Sequence, residues 1–433
     1  MPGMSASDAV AFLLGLQRHG IKLGLESIQA LLAAIGNPHQ ALRVLHIAGT
    51  NGKGSTAALS ASMLQAAGHR VGLYTSPHLV EFRERIRVNG ADISEAALAE
   101  WTARIQAACR STLSPTFFEF TTALALAYFA ECRVDVAVLE VGLGGRFDAT
   151  NVVTPLASCI TTIARDHEAY LGSDLAGIAF EKAGIIKPGI PVVVGKLGPE
   201  AQAVVERVAS DRAAPLVQYG HDFAIQGESP ASCVYQGREG RRDLRCPLRG
   251  RHQLDNLACA VAAMDVLSSQ GLSVTEEAIR CGVAQVHWAG RLEVVGEHPR
   301  LVLDGAHNPA AAEVLAAYLA ESRQGARPMK VWAVVGMMQD KDHVSFLQRL
   351  VPHVDEVILT VPNLSRSASG EHLWAALPPD GPPVRIIPQV SEAIRTAQRL
   401  AAPDDMICVT GSLMLIGEAK AYLQGLPMSP LRG

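Results

Sequence analysis

Gly49-Thr50-Asn51-Gly52-Lys53-Gly54-Ser55 is the stretch whose residue types point most directly to chemistry. Its glycines let backbone N–H groups turn inward on an anion, and Lys53 adds a compact positive charge. A β-branched run (LRVLHIA, 42–48) precedes it and a helical stretch (TAALSASMLQAAG) follows. Strand, glycine-rich turn, lysine and helix N-terminus in that order predict a phosphate loop, in which Lys53 reaches the β- and γ-phosphates of ATP and Ser55 supports a metal. The spelling departs from the usual GxxxxGK[ST]: Ile47 stands where the first glycine belongs, and Gly54 separates the lysine from the hydroxyl residue. A bare glycine turn would need none of these companions.

Two further groups fall where such a loop would use them. DVAVLE (135–140) is an apolar strand ending in Glu140, followed by the GLGGR turn at 142–146. A third run leads to Asp166-His167, which the pattern places at a strand's C-terminal end, and Glu181-Lys182-Ala183-Gly184-Ile185 opens a turn soon after. Open α/β sheets bind ligands beyond the carboxyl ends of their strands. Glu140 and His167 beside a triphosphate therefore predict a dinuclear magnesium site.

The elements that must position these groups follow one pattern of apolar run, glycine-containing turn and amphipathic stretch. Runs at 71–75, 134–141, 156–163 and 190–194 are nearly continuous in apolar character, as strands covered on both faces must be. A fresh series begins near residue 290, with runs at 301–303, 331–335, 357–361 and 406–410 and helical stretches at 310–322, 343–351 and 391–401. The expected fold class is α/β: a P-loop-type parallel-sheet ATPase domain at 1–294, then a smaller Rossmann-like α/β domain at 295–433. Residues 220–251 are polar and rich in glycine and arginine. They read as a solvated antiparallel hairpin, or as a place where one or two guanidiniums face phosphate or an acidic substrate.

Composition narrows the partners. At 48% hydrophobic and 18% charged, the 433-residue chain is too apolar for disorder. Lys plus Arg number 38 against 42 Asp plus Glu, and a net −4 exerts no global pull on nucleic acid or anionic lipid. No apolar run reaches the roughly 18 residues of a membrane span, and the N-terminal stretch lacks the basic leader of a signal peptide. Eight cysteines without a CxxC pair read as reduced thiols, so a cytoplasmic protein is expected. With no coiled coil or long apolar edge, a monomer is expected as well.

Several motifs stand in order along essentially the whole chain: HIAGTNGKGST (46–56), LYTSPHL (73–79), FFEFTTALALAYF (117–129), LEVGLGGRFDATN (139–151) and EKAGIIKPGIPVV (181–193), then LRGRHQLDN (248–256), GRLE (290–293), DGAHNP (304–309), GMMQDKDH (336–343) and TGSLMLIGE (410–418). The set resembles the folylpolyglutamate synthase family, including its bifunctional dihydrofolate synthase form, within the Mur ligase superfamily. The resemblance implies an ATP-dependent ligase that adds L-glutamate to dihydropteroate, to the γ-carboxylate of (tetrahydro)folate, or to both, through an acyl phosphate.

It also implies roles residue by residue. Thr50, Asn51, Gly52, Lys53, Gly54 and Ser55 hold the ATP phosphates, and Asn256, Arg291 and Asp304 supply the remaining nucleotide contacts. Ser76, Glu140 and His167 are magnesium ligands. Lys182 matches the lysine that the family carries as a carbamate (N6-carboxylysine), and His307 lies close to the phosphates or the incoming glutamate. Leu23, Gly24, Thr116, Phe117, Phe118, Glu119, Phe147, Asp148 and Ala149 match segments lining the dihydropteroate site. Arg165 is a departure from the small or aliphatic residue usual there.

Three alternatives remain open at this level. One is folylpolyglutamate synthesis alone; another is a different Mur-type amino-acid ligase. UDP-muramoyl ligases normally begin with a UDP-binding domain, for which too little sequence precedes Gly49. The third, a switch or motor ATPase, would hydrolyse ATP independently of glutamate and folate.

Overall fold

The computed structural model describes residues 4–16, 24–109, 113–323 and 329–426. Its first sheet comprises β1 (Val44–Ala48), β2 (Val71–Tyr74), β3 (Ile86–Val88), β4 (Ala91–Asp92), β5 (Val136–Glu140), β6 (Ala157–Ile160), β7 (Val192–Val194) and β8 (Leu216–Gln218). The spatial order is β4-β3-β2-β5-β1-β6-β7-β8. The six strands from β2 to β8 run parallel, while β3 and β4 extend the edge antiparallel. Every residue of β1, β5 and β6 is buried, as central parallel strands require.

The chain after β1 leaves the sheet as helix Lys53–Ala66, beginning inside the glycine loop. This helix is covered by helices His252–Ser269 and Glu276–Gln285, and a Cβ on Gly282 would lie 2.4 Å from the Met63 backbone. Glycine thus sets how closely those helices cross. Helix Phe117–Glu131 packs in a second apolar cluster with Tyr74 and Leu139. The layers fix the ends of β1 and β5 side by side, with Ile47 in register with Glu140.

The arginine-rich segment forms a three-stranded antiparallel sheet of β9 (Ala224–Ser229), β10 (Ser232–Gly237) and β11 (Gly240–Leu244), one strand more than a hairpin. Arg242 turns inward and pairs with Asp265 at 2.8 Å, while Arg241 and Arg238 face outward. The third sheet has β12 (Glu293–Glu297), β13 (Arg300–Leu303), β14 (Val331–Val335), β15 (Glu356–Leu359), β16 (Val384–Ile386) and β17 (Met406–Thr410) in the order β12-β13-β17-β14-β15-β16. All its pairings are parallel except β12 with β13. Among the described residues no helix is long and apolar enough to cross a membrane.

Candidate active site

The glycine loop is fastened to the segment that follows β6. Thr50 N–H donates to Thr162 O at 2.7 Å and Asn51 N–H to Thr162 Oγ1 at 3.0 Å. The Thr50 hydroxyl donates to Ala164 O and accepts Ala164 N–H, each at 3.0 Å. Gly52 adopts φ 86°, and a Cβ there would lie 2.1 Å from Asn256 Oδ1, so the turn both needs glycine's left-handed backbone and has no room for a side chain. β6 itself ends at Ile160, earlier than the sequence pattern places it. Thr161 N–H makes the last bond to β1, at Ala48 O, while Thr161 and Thr162 spend their hydroxyls on Asn51 O, at 2.7 and 3.0 Å, and Thr162–His167 continues outside the ladder.

Two lysines, Lys182 buried and Lys53 half-buried, converge on this loop. Lys53 Nζ donates to Gly49 O and Thr50 O, each at 3.0 Å, and Lys182 Nζ donates to the same Gly49 O at 2.9 Å. Desolvation lowers the affinity of both amines for a proton; at Lys53 the charges of Glu140, Asp166 and Asp148 work against it, while at Lys182 the Lys53 charge adds to it and the amine falls to about 7. Carbonyl oxygens are the direct hydrogen-bond partners of both amines, and the neighbouring carboxylates offset the cost of desolvation only in part. A polyphosphate at the helix N-terminus would supply the missing negative charge, so these residues fit a nucleoside triphosphate.

Ser76 and Glu140 meet at the ends of β2 and β5, where Glu140 Oε2 accepts Ser76 N–H at 3.0 Å. Glu140 is buried, which raises its carboxyl above the usual range; the charges of Lys53, Arg291 and Arg85 offset that only in part. His167, in the left-handed region at φ 53°, lines the neighbouring cleft with Lys53 and Lys182. Burial pushes its imidazole down to about 4, leaving a neutral ring with a lone pair at pH 7. Among the described residues no three His, Cys, Asp or Glu side chains form a ready cage. A hydroxyl, a carboxylate and a neutral imidazole beside a phosphate loop nevertheless fit Mg²⁺, which keeps waters and phosphate oxygens as most of its ligands.

Asn256 touches the loop at Gly52 and donates to Gln253 Oε1 at 2.9 Å, while Gln253 Nε2 reaches Ser55 Oγ at 3.3 Å. Gly54 sits against the indole of Trp288. Arg291 closes over Gly305, where a Cβ would lie 2.5 Å from its Nη1. Asp304 is buried, its carboxylate accepting Leu292 N–H at 2.9 Å and Ala306 N–H at 3.0 Å. His307 Nδ1 and Gly305 O are 2.9 Å apart, and Asn308 caps helix Pro309–Ser322 through Ala311 N–H.

The residues matched to a pteroate site are less uniform. Leu23 lies outside the described residues. Thr116 and Glu119 form a capping box for helix Phe117–Glu131, with Glu119 Oε2 accepting Thr116 N–H at 2.6 Å. Phe117 lies 5.1 Å from the Arg85 guanidinium, and Phe118 packs under Gly142, where a Cβ would lie 2.5 Å from its ring. Asp148 accepts from Gly142, Leu143 and Thr150, so it shapes its own loop; Ala149 beside it is buried. Phe147 is 37% exposed, with Arg146 stacked 4.8 Å above its ring. Gly24, at φ 122°, has its Glu26 carboxylate folded against it.

A Mur ligase middle-domain model matches residues 47–264, and a Mur ligase glutamate ligase domain model matches 290–413. The dihydrofolate synthase/folylpolyglutamate synthase of Bacillus subtilis is 36% identical over 96% of this chain and 99% of its own length. The chain belongs to the folylpolyglutamate synthase/dihydrofolate synthase family of the Mur ligase superfamily. The E. coli FolC structure in complex with DHPP and ADP superposes with a TM-score of 0.89 at 35% identity, covering 98% of this chain and 99% of that one. The Yersinia pestis bifunctional folylpolyglutamate synthase/dihydrofolate synthase, complexed with AMPPNP and Mn ion, gives 0.88 at 36% identity, covering 98% and 100%. Family motifs led to most of the residues gathered at this cleft. They did not single out Asp166 or Lys341, which meet there at 2.7 Å from opposite parts of the chain. Asp166 was visible only as the neighbour of His167, and Lys341 only as a letter of the GMMQDKDH motif.

Proposed function

We propose that the chain joins L-glutamate to dihydropteroate and to the γ-carboxylate of reduced folates, using ATP. The observation that carries this reading is the pair of lysine amines, half-buried Lys53 and buried Lys182, sharing one carbonyl of the glycine loop. In the reaction the substrate carboxylate oxygen attacks the γ-phosphorus, the bond to the departing ADP oxygen breaks, and an acyl phosphate forms. That activation is required because a carboxylate at neutral pH is a poor electrophile. The α-amine of glutamate then attacks the acyl carbon, gives up a proton, and phosphate leaves from the tetrahedral intermediate. Lys53 neutralises charge spreading over the transferred phosphoryl group.

Ser76, Glu140 and His167 would hold Mg²⁺, which when bound offsets phosphate charge. Thr50, Asn51, Gly52, Gly54, Ser55, Asn256, Arg291 and Asp304 would surround the nucleotide. Phe117, Phe118 and Phe147 offer rings for a pterin or aminobenzoyl group, and His307 faces the incoming glutamate. Lys182 is proposed as a carbamate: an amine titrating near 7 is available uncharged to add CO₂, and the anion formed pairs with Lys53. The working division expected at 1–294 and 295–433 cuts β12, whose Glu293 and Val294 already pair with β13, so we place the start of the glutamate-ligase domain before that strand, with the ATP-binding domain preceding it and the glutamate-ligase domain closing over the acyl phosphate to exclude water. A cytoplasmic monomer without nucleic-acid or membrane partners completes the reading.

The test is a parallel assay of the purified protein with ATP, Mg²⁺ and glutamate, offered dihydropteroate or tetrahydrofolate, with products weighed by mass spectrometry. Both should gain one glutamate residue and release phosphate. A gain on tetrahydrofolate alone would select folylpolyglutamate synthesis only, and no gain on either would overturn the proposal.

A further inference from the structure

Asp166 has no role in the reaction just described, yet its carboxylate is densely engaged. Its side chain is only 8% exposed. Oδ1 accepts Lys341 Nζ at 2.7 Å and the His167 backbone N–H at 2.8 Å. Oδ2 accepts Asn308 Nδ2 at 3.0 Å and lies 3.4 Å from His307 Nε2.

The partners come from two separate loops of the six-stranded part. His307 and Asn308 follow β13, and Lys341, itself 9% exposed, follows β14. Asp166 comes from the other part, beyond β6. Asn308 continues the contact into the phosphate loop: its Nδ2 donates to Asn51 Oδ1 at 3.0 Å, and Asn51 Nδ2 returns a bond to Asn308 Oδ1 at 3.3 Å. A buried ion pair contributes little net stability against apolar replacement, because desolvation offsets the attraction. What it does set is geometry, since a charge stripped of water tolerates few arrangements of its partners.

We propose that Asp166 is a positioning residue: it draws the His307–Asn308 loop and the Lys341 loop together onto the phosphate loop, seating the two parts in the arrangement that glutamate transfer needs. This rests on the ligase reading above for the reaction that is positioned. Lys341 then governs the order of a loop it does not belong to, because both loops are held through one carboxylate.

The test uses the full chain, with Lys341→Met, Asp166→Asn and the double variant. Steady-state kinetics is paired with hydrogen exchange by mass spectrometry on segments 304–311 and 336–344. Each single variant should lower kcat about tenfold, leave KM for ATP within about threefold, and speed exchange about tenfold in both segments. The double variant should be no more than about twofold worse than the worse single one, since both remove the same bond. Lys341→Met keeps the apolar stem and leaves the His167 segment untouched, so it decides the matter even where Asp166→Asn folds poorly. Wild-type exchange in 304–311 of Lys341→Met, or losses that multiply in the double variant, would overturn the proposal. Failure of the wild type to ligate glutamate would instead overturn the ligase reading, while exchange would still judge Asp166.

Discussion

Lys182 shows how one buried side chain links stability to chemistry. Its amine is surrounded by protein, donates to Gly49 O, and shares that oxygen with Lys53. Burial first and the Lys53 charge second lower its proton affinity from 10.5 to about 7. Between those two values the unfolded chain binds the proton more tightly than the folded one, so stability rises with pH across that window. It stops falling below pH 7, where both states are protonated and the burial penalty is fully felt. Lys182→Met removes the titration and keeps the stem. Chemical unfolding from pH 6 to 10 in carbonate-free buffer should show wild-type stability gaining on that of Lys182→Met by about 1 kcal/mol per pH unit above pH 7. Parallel curves for the two proteins would refute the account. Admitting CO₂ should then stabilise the wild type and leave the variant unmoved, because only a neutral lysine amine forms the carbamate.

At the scale of elements, Lys182 is placed by an interlock between a turn and a helix end. Helix Leu175–Ala183 carries it, and the 142–146 turn is fastened beneath that helix by Arg146 N–H donating to Glu181 O at 2.8 Å. Glycines on both sides allow the approach: a Cβ on Gly145 would lie 2.9 Å from the carbonyls of Glu181 and Lys182, and one on Gly184 would lie 2.5 Å from Arg146 Cα. Gly184→Ala must therefore part helix and turn. It should lose about 1–3 kcal/mol of stability by overpacking and lower kcat with it. Gly198→Ala, whose Cβ would meet nothing within 4 Å, should lose about 0.5 kcal/mol or less in the same thermal melts. Equal losses in the two variants would refute the interlock. The long central strands of the two large, mainly parallel sheets are legible in the sequence because both faces are buried and their apolar runs are unbroken. β8 and β16, three residues each and partly exposed at sheet edges, carry too little pattern to be read. The sequence pattern runs this strand on to His167 because Thr161 and Thr162 look like ladder residues, whereas their hydroxyls serve the phosphate loop and the ladder stops at Thr161 N–H.

For the molecule as a whole, the question is what holds the eight-stranded and six-stranded sheets in one working arrangement, and sequence is weakest here. The glycine loop, Glu140 and Lys182 announce themselves through local motifs, but Asp166 and Lys341 are 175 residues apart and each alone is an ordinary surface charge. Their meeting forms one seam between the parts. A second lies at Leu79, in the loop that begins near Ser76 and follows β2. Leu79 packs with the apolar cluster of β13, β14, β15 and β17, and helix Leu413–Gln424 rests on its backbone so closely that a Cβ on Gly417 would fall 1.8 Å from Leu79 O. Glycine is there to permit contact, since no flexible side chain stands opposite to give way. The same loop is tied to the catalytic end of the sheet through Ser76 N–H and Glu140, so lifting the helix should loosen Ser76 as well. Gly417→Ala should thus leave far-UV circular dichroism and exchange within β14 and β17 unchanged, because each sheet keeps its own core. It should speed exchange in residues 76–84 and lower kcat by about tenfold, the equivalent of about 1.4 kcal/mol of lost placement. Wild-type turnover with wild-type exchange in that loop would refute the second seam and leave Asp166 as the contact on which the arrangement depends.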